Sequence, residues 1–529
     1  MKIVHVDLNT NEIITNNYNI EDISKTGRGL ATSVIMEIIK PDTKYLSKEN
    51  CIVLTPGLLT GTQAPCTGRL TIAAKGEDNV GIKSINVAGP ISQKLASLHI
   101  SAIVIHGKRK NEDSCVLHIS EDEIKVHSVS NLRHKSVDDT IDHLQGMWGE
   151  DTSIIGIGPA GEHVLPIASV FSTYSKGYPK YYCSRGKMGD IFGYKGIKAI
   201  AVTTRSHFNS PIEDEAEFRK MSKKLGKMII QHPVCGGALP AYGSITLIHM
   251  MKDKTNFLEK LKLQSKRKNI AGRKSTESTI KINKNCAPNC VIGCLNRHSG
   301  DTGEDAYSSP AESEAVAACK ELFNITDDKF VKEVNKKCFE MGVDTIEFLF
   351  SCNMLLKAMK NEATKEKIHE LIKEVELVTP LGRIVTSTTK GIHPLFAEVP
   401  EIEKMITLPA IQEEKNFIIK LQNRVKGCEK INDMEMLYGF MTLLGNLGIC
   451  LFTSFAILDM EEGLENLAQL IKAKTGMSVT SEELIKTALN SLQKERAYKK
   501  MIISADLSNS IPEFVKVLYR YYSVDSEVI

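Results

Sequence analysis

The chain carries almost no net charge: 67 lysines and arginines against 64 aspartates and glutamates leave +3 over 529 residues. That balance offers no electrostatic footprint for a nucleic acid and none for a membrane surface. Internal repeats and long low-complexity tracts are absent, which sets repeat architectures aside. The first residues, Met1 to Asp7, show no apolar h-region followed by a small-residue cleavage site, so a cytoplasmic protein is expected. A disulfide framework is missing too. The thirteen cysteines are odd in number and nine of them stand singly, from Cys51 and Cys66 to Cys428. This usage suits a reducing compartment, with the single cysteines as small buried apolar residues. Long apolar runs are scarce. Met436 to Leu458 is free of charge over 23 residues, long enough to cross a bilayer, but it holds three glycines, an asparagine and hydroxyl residues and stands alone. It reads as one buried helix of a large soluble core.

What is present is ordinary globular composition, 42% hydrophobic and 25% charged, over a length that makes more than one domain. Residues 1–205 read as strand-rich. Lys2 to Leu8 alternates and turns at Asn9-Thr-Asn into Glu12 to Tyr18, a hairpin signal. An apolar run of helical spacing follows Gly27, and seven short β-type runs lie between Cys51 and Val202. From about 210 the patterns are helical, among them 214–231, 328–341, 345–359, 411–425 and 481–497. The expected domains are 1–205, 206–405 and 406–529. Lys252 to Lys274 is rich in lysine and arginine; it reads as a solvated face or as a docking patch for an acidic partner.

The most pointed chemistry is Cys286-Ala-Pro-Asn-Cys290-Val-Ile-Gly-Cys294. Three thiolates in nine residues suit zinc or an iron–sulfur cluster better than chance clustering. Pro288 argues against a plain helix, while Asn285, Asn289 and Gly293 suit a wrapping loop. Cys450, beside Gly448, is the best fourth ligand; otherwise it is a core cysteine of an apolar helix. Zinc sites usually pair their cysteines, so three plus one favours a cluster. Glu312 and Glu314 form a carboxylate pair suited to proton transfer, although Ser309-Pro310-Ala311-Glu312 is also a capping box. Thr67-Gly-Arg69, Asn86-Val-Ala88-Gly89, Gly158-Pro-Ala-Gly161 and Arg185-Gly186 present backbone N–H groups and guanidinium groups of the kind that hold phosphates.

In order along the chain these pieces resemble the aldehyde:ferredoxin oxidoreductase family, the tungsten or molybdenum bis-pyranopterin enzymes. The resemblance runs through Gly27–Ala31, Leu54–Pro65, Gly68-Arg69, Gly156–Glu162 and Arg185–Ile200, then the cysteine triplet, Glu312-Ser-Glu314, Met341–Ile346 and Gly448-Ile-Cys450. It implies an α+β fold, in which an N-terminal mixed β-sheet domain cradles the pterins and two mainly α-helical domains follow. It implies a cytoplasmic oxidoreductase that turns an aldehyde or similar carbonyl into the acid and sends electrons through a [4Fe–4S] cluster to ferredoxin. Neither nucleic acid nor membrane is an expected partner, and a homodimer is among the assemblies it allows. By position, Cys286, Cys290, Cys294 and Cys450 hold the cluster. Arg69, Asn86, Ala88 and the segment Tyr182, Cys183, Ser184, Arg185 and Gly186 line the pterin phosphates. Asp344 and Ile449 touch the pterin from the helical side. Glu312 is the active-site carboxylate, with Glu314 as second choice.

The departures are as specific. Three residues separate the first two cysteines where the family has two. The aspartates that open the two pterin-binding motifs are Phe339 and Gly445 here, and the arginine four residues before Arg185 is Tyr181. No histidine follows His393, so the family's proton-shuttling histidine has no counterpart. A non-catalytic or electron-transfer paralogue that keeps scaffold and cluster but lacks the pterin aspartates and the catalytic histidine is the alternative.

Overall fold

The computed structural model describes residues 1–77, 81–110, 113–175, 179–244, 246–247, 285–295, 313–396 and 433–502. The N-terminal half holds two mixed six-stranded sheets rather than one. The first joins β1 (Lys2–Asp7), β2 (Glu12–Asn17), β3 (Ile52–Pro56), β4 (Arg69–Lys75), β5 (Ile82–Ala88) and β6 (Ile100–His106) in the order β2-β1-β6-β3-β4-β5. The second joins β7 (Cys115–Ile119), β8 (Ile124–Ser128), β9 (Ser153–Ile157), β10 (Val170–Thr173), β11 (Tyr181–Cys183) and β12 (Ile197–Val202) in the order β11-β10-β9-β12-β7-β8. Only β1–β6 and β7–β12 run parallel; the other pairs are antiparallel. The expected hairpin forms with Lys2 opposite Asn17, and its polar outer strand makes a tolerable sheet edge.

The sheets share one apolar core. Its members include Val4, Leu54, Ile72 and Ile103 of the first sheet and Leu117, Ile155 and Ile200 of the second. Apolar residues on both faces explain β3 and β6: one face meets that core, the other meets α1 (Gly27–Ile38). Helix α2 (Pro90–Ser97) is buried along its whole length and touches strands of both sheets. Helix α3 (Val137–Trp148) covers the outer face of the second sheet. Strands β8, β10 and β11 escape the sequence pattern because they are short and partly polar.

Residues 156–161 have the glycine spacing of a dinucleotide-binding turn. Here β9 has antiparallel neighbours on both sides, and α4 (Pro159–Glu162) is a single turn. Gly158 instead admits the backbone of the helical half: a Cβ there would stand 2.4 Å from the Met341 carbonyl oxygen.

Helix α5 (Gly189–Lys195) leads into β12, and after β12 the described elements are helical: α6 (Glu215–Gln231), α7 (Leu239–Tyr242), α8 (Ser313–Phe323), α9 (Asp328–Met341), α10 (Thr345–Ala358), α11 (Lys365–Glu376), α12 (Pro380–Thr386), α13 (Thr388–Leu395), α14 (Asp433–Leu447), α15 (Ser454–Asp459), α16 (Gly463–Thr475) and α17 (Ser481–Ile502). Helices α8 to α13 share one apolar core. Helices α6 and α14 to α17 share another with the cysteine loop. The expected helix at 411–425 and the basic stretch 252–274 lie outside the described residues. One expectation fails. The uncharged run 436–458 is not a single helix: it breaks at Gly448, whose φ is +74°, and resumes as a short 3-10 turn and α15. Among the described residues no helix is long and apolar enough to cross a membrane.

Candidate functional site

The break between α14 and α15 organises the site. The segment from Gly57 to Arg69 crosses it so closely that neither Gly57 nor Gly448 tolerates a side chain: a Cβ on Gly57 would lie 2.0 Å from the Gly448 nitrogen. Backbone bonds stitch the crossing. Leu58 and Leu59 donate to the Asn446 and Leu447 carbonyls at 3.0 Å, Arg69 to Gly448 at 3.2 Å, and Cys450 to Cys66 at 2.8 Å. From the other side, the Asn446 side chain accepts from Gly29 N–H at 2.8 Å, fixing the N-terminal turn of α1.

The cysteine loop docks on the same segment. Residues 285–295 form turns and bends, with Asn289 and Gly293 at φ +53° and +67°, as a wrapping loop requires. Asn289 is its anchor. Its amide donates to the carbonyls of Thr62, at 3.2 Å, and Ala64, and it accepts from Gln93 at 3.2 Å. Its backbone carbonyl accepts from Cys66 N–H at 3.1 Å. Thus the loop and the helix break, more than 150 residues apart in sequence, are held by the two sides of one segment.

This brings the thiols of Cys286, Cys290, Cys294 and Cys450 together beside Arg69, whose Nη2 donates to Cys450 Sγ at 3.0 Å. Cys290 accepts from Cys286 and from Cys66, which holds its pKa well below and theirs well above that of an ordinary thiol. Burial, reinforced by Cys450 and Cys290, pushes Cys294 up. Burial alone would lower Arg69; the Cys450 and Cys286 thiols and Tyr182 outweigh it and hold the guanidinium firmly charged. Cys66 reads in the sequence as an inert buried cysteine. It is buried, but its thiol joins the group, and its place three residues before Arg69 is the available signal.

Arg69 opens β4 and faces Ala88 across the β4–β5 pair. Ala88 N–H donates to the Tyr182 hydroxyl at 2.5 Å, so Tyr182 leans from the second sheet onto the first. Asn86 lies on the same strand as Ala88 and is exposed. Arg185 pairs with Glu314 at 3.3 Å, and Glu314 also accepts from Ser244 at 3.0 Å. Asp344 caps α10 by accepting from Ile346 and Glu347 N–H; burial raises its pKa and Arg185 opposes the shift. Ser184 Oγ is buried without a partner, and Gly186 holds φ +101°. Ile449 is buried at the break. Cys183 stands apart from this group, with its thiol directed to the Phe339 carbonyl at 3.6 Å in the outer core of the second sheet. Glu312 and its capping box lie outside the described residues.

The departing residues pack against one another. Phe339 is 1% exposed and its ring lies 6.2 Å from that of Tyr181. The Tyr181 hydroxyl donates to Asp138 at 2.9 Å, while the other Asp138 oxygen is buried unpaired. Burial pushes the Asp138 carboxyl up to about 6 from its ordinary 3.8. The folded state therefore holds this proton more tightly than the unfolded chain. Its stability contribution is full below the unfolded value and is lost as pH rises through about 6. Asp138→Asn, which keeps the acceptor, is expected to flatten that slope and raise stability at pH 7 by about 1–2 kcal/mol, read as urea midpoints between pH 4 and 8.

Comparison with known proteins gives two family matches. The pattern described as aldehyde ferredoxin oxidoreductase, N-terminal domain, matches residues 3–204, and that described as aldehyde ferredoxin oxidoreductase, domains 2 & 3, matches residues 220–380. The chain is 26% identical to the tungsten-containing aldehyde ferredoxin oxidoreductase of Pyrococcus furiosus over 94% of this chain and 88% of that protein. It is 24% identical to the Thermococcus kodakarensis protein of the same name over the same shares. In structure it is similar to the active-site complex BamBC of benzoyl coenzyme A reductase, with a TM-score of 0.70 at 16% identity over 98% of this chain and 93% of that one. At that identity the likeness is one of fold.

Proposed function

Because the chain belongs to the aldehyde ferredoxin oxidoreductase family, we propose that it oxidises an aldehyde or similar small carbonyl compound to the acid and passes the electrons through a [4Fe–4S] cluster to a ferredoxin-like carrier in a reducing cytoplasm. One observation carries this reading: Cys286, Cys290, Cys294 and Cys450 converge beside Arg69. Four thiols are the donor set and number that such a cluster takes, and Cys66 adds a fifth thiol hydrogen-bonded to Cys290. When bound, the cluster accepts and releases single electrons. The chain's own contribution is electrostatic. Arg69 offsets thiolate charge and so favours the reduced form. Arg69→Gln is expected to lower the reduction potential by on the order of 50 mV, measured by potentiometric titration with EPR detection. An unchanged potential removes Arg69 from that role.

The residues fit a pterin cofactor on one side only. Arg69 and Arg185 offer guanidinium groups for phosphates, and Ser184 Oγ has a free hydrogen-bonding position. On the ring side, Phe339 is sealed in an apolar core and Gly445 lies against Arg28, a Cβ there coming within 3.2 Å of that side chain. Neither supplies a carboxylate for ring N–H groups. This mismatch favours a second reading, an electron-transfer paralogue that carries the cluster without tungsten. Glu312, outside the described residues, is the carboxylate proposed to assist proton transfer in the first reading, and Glu314, held between Arg185 and Ser244, is the second choice.

Anaerobic purification separates the two, with iron, tungsten, molybdenum and extractable pterin measured per chain. About four irons with stoichiometric metal–pterin and oxidation of a short aldehyde support the first reading. The same iron without pterin supports the second. Protein free of iron sinks both.

A further inference from the structure

We propose that His118, Glu123 and His127 form a binding site for one divalent transition-metal ion, best matched to Zn²⁺, on the hairpin β7–β8. The site stands at the opposite edge of the second sheet from β11 and shares no residue with the cysteine group. It is independent of the function proposed above.

The hairpin builds the site through its register. His118 faces Lys125 and Val116 faces His127, so the two histidines lie diagonally on one face of the strand pair. Their ring centroids are 6.1 Å apart. Glu123 closes the turn between the strands, where the Ser120 N–H donates to the Glu123 carbonyl at 2.9 Å. One ligand atom from each of the three residues lies within 4.8 Å of the others.

The second observation concerns unused lone pairs. His118 Nε2 sits 3.1 Å from Thr203 Oγ1. That bond uses one ring nitrogen and leaves Nδ1, which is buried and has no hydrogen-bond partner. His127 Nε2 is likewise buried and unpartnered. Two such orphaned nitrogens on adjacent strands are costly unless something accepts their lone pairs. With the ring protons on the opposite nitrogens a metal ion takes both lone pairs at once, whereas protons on the orphaned nitrogens would leave two buried N–H donors unpaired. The Trp148 indole supplies a wall. It stacks on His118 at 4.2 Å with an interplanar angle of 5°, and lies 5.4 Å from His127. Stacking and the Thr203 contact hold His118 in one orientation, as outer-shell partners do for metal-bound imidazoles.

Two imidazoles and one carboxylate form a borderline nitrogen–oxygen set, unsuited to Mg²⁺ or Ca²⁺ and suited to zinc. Three protein ligands leave a fourth position for water. Glu123 is exposed at the turn, so its carboxylate has room to close on an ion held by the histidines.

The test uses the anaerobically purified full chain with its own cofactors, washed with a mild chelator. Zn²⁺ is then titrated in competition with a chromophoric chelator, while the cluster absorption is followed. Wild type is expected to take up one equivalent at micromolar affinity or tighter without loss of iron, and to melt at higher temperature in excess Zn²⁺. His127→Ala is expected to weaken uptake at least about 100-fold, and Glu123→Gln about 10-fold, with the thermal shift lost in the first and reduced in the second. Glu123 is exposed, so its variant keeps the test alive should His127→Ala fold poorly. Wild type that takes up no Zn²⁺ at about 10-fold molar excess overturns the proposal, and so do variants that titrate like wild type.

Discussion

Cys286→Ser and Cys450→Ser are each expected to leave fewer than about one iron per chain, where the anaerobic wild type holds about four, with loss of the broad visible absorption of the cluster. The two residues are far apart in sequence and come from different elements, so equal losses would tie both to one site. A serine hydroxyl is a hard, weakly acidic donor that replaces a thiolate poorly. The contrast is Cys66. Its thiol hydrogen-bonds to Cys290 but lies outside the proposed set of four. Cys66→Ser is therefore expected to keep the iron and shift only the potential or the stability of the cluster. Iron that survives Cys286→Ser but vanishes with Cys66→Ser would exchange the two in the ligand set. Iron indifferent to all three changes would end the cluster reading.

Gly448→Ala is expected to be the most damaging change of a single carbon atom. The residue holds φ +74°, and an added Cβ would stand 2.2 Å from Thr60 Oγ1 and 3.0 Å from the Gly57 Cα. The left-handed conformation alone costs an alanine roughly 1 kcal/mol. The steric part is larger, because relief means parting the crossing and its four backbone hydrogen bonds, each contributing about 0.5–1.5 kcal/mol. A loss of about 4 kcal/mol or more in urea unfolding is expected, together with loss of iron, since Cys450 and Cys66 move with the crossing. Gly226→Ala is the control. It lies inside α6 with the nearest foreign atom 3.9 Å away. It should stabilise by about 0.5–1 kcal/mol. A Gly448→Ala protein as stable as wild type would mean that the crossing is not the support of the site.

Local patterns are legible where one physical cue acts over several residues. The β1–β2 hairpin follows from alternation around Asn9-Thr-Asn, and α9 follows from an apolar stripe capped by Asp327 and ended at Gly342. Strands β10 and β11 are not legible, since four and three residues carry too little periodicity to register. The uncharged run 436–458 misleads for the opposite reason. Hydropathy reports burial, and both halves are buried; it does not report the backbone reversal at Gly448.

The cysteine triplet shows the same division. Its spacing, its proline and its asparagines determined a thiolate-bearing loop, because those choices act within nine residues. The setting of Cys450 beside Gly448 offered it as the fourth ligand, and the family resemblance implied the same. Only the tertiary structure decided how Cys450 reaches the loop: through the segment Gly57–Arg69, gripped by Asn289 on one side and by the helix break on the other. It alone brought in Cys66, and it alone set Phe339 against Tyr181 in an apolar core. Those are contacts between residues remote in the chain. They depend on close approach of backbones and on what each side chain meets, neither of which any local pattern of residue types encodes.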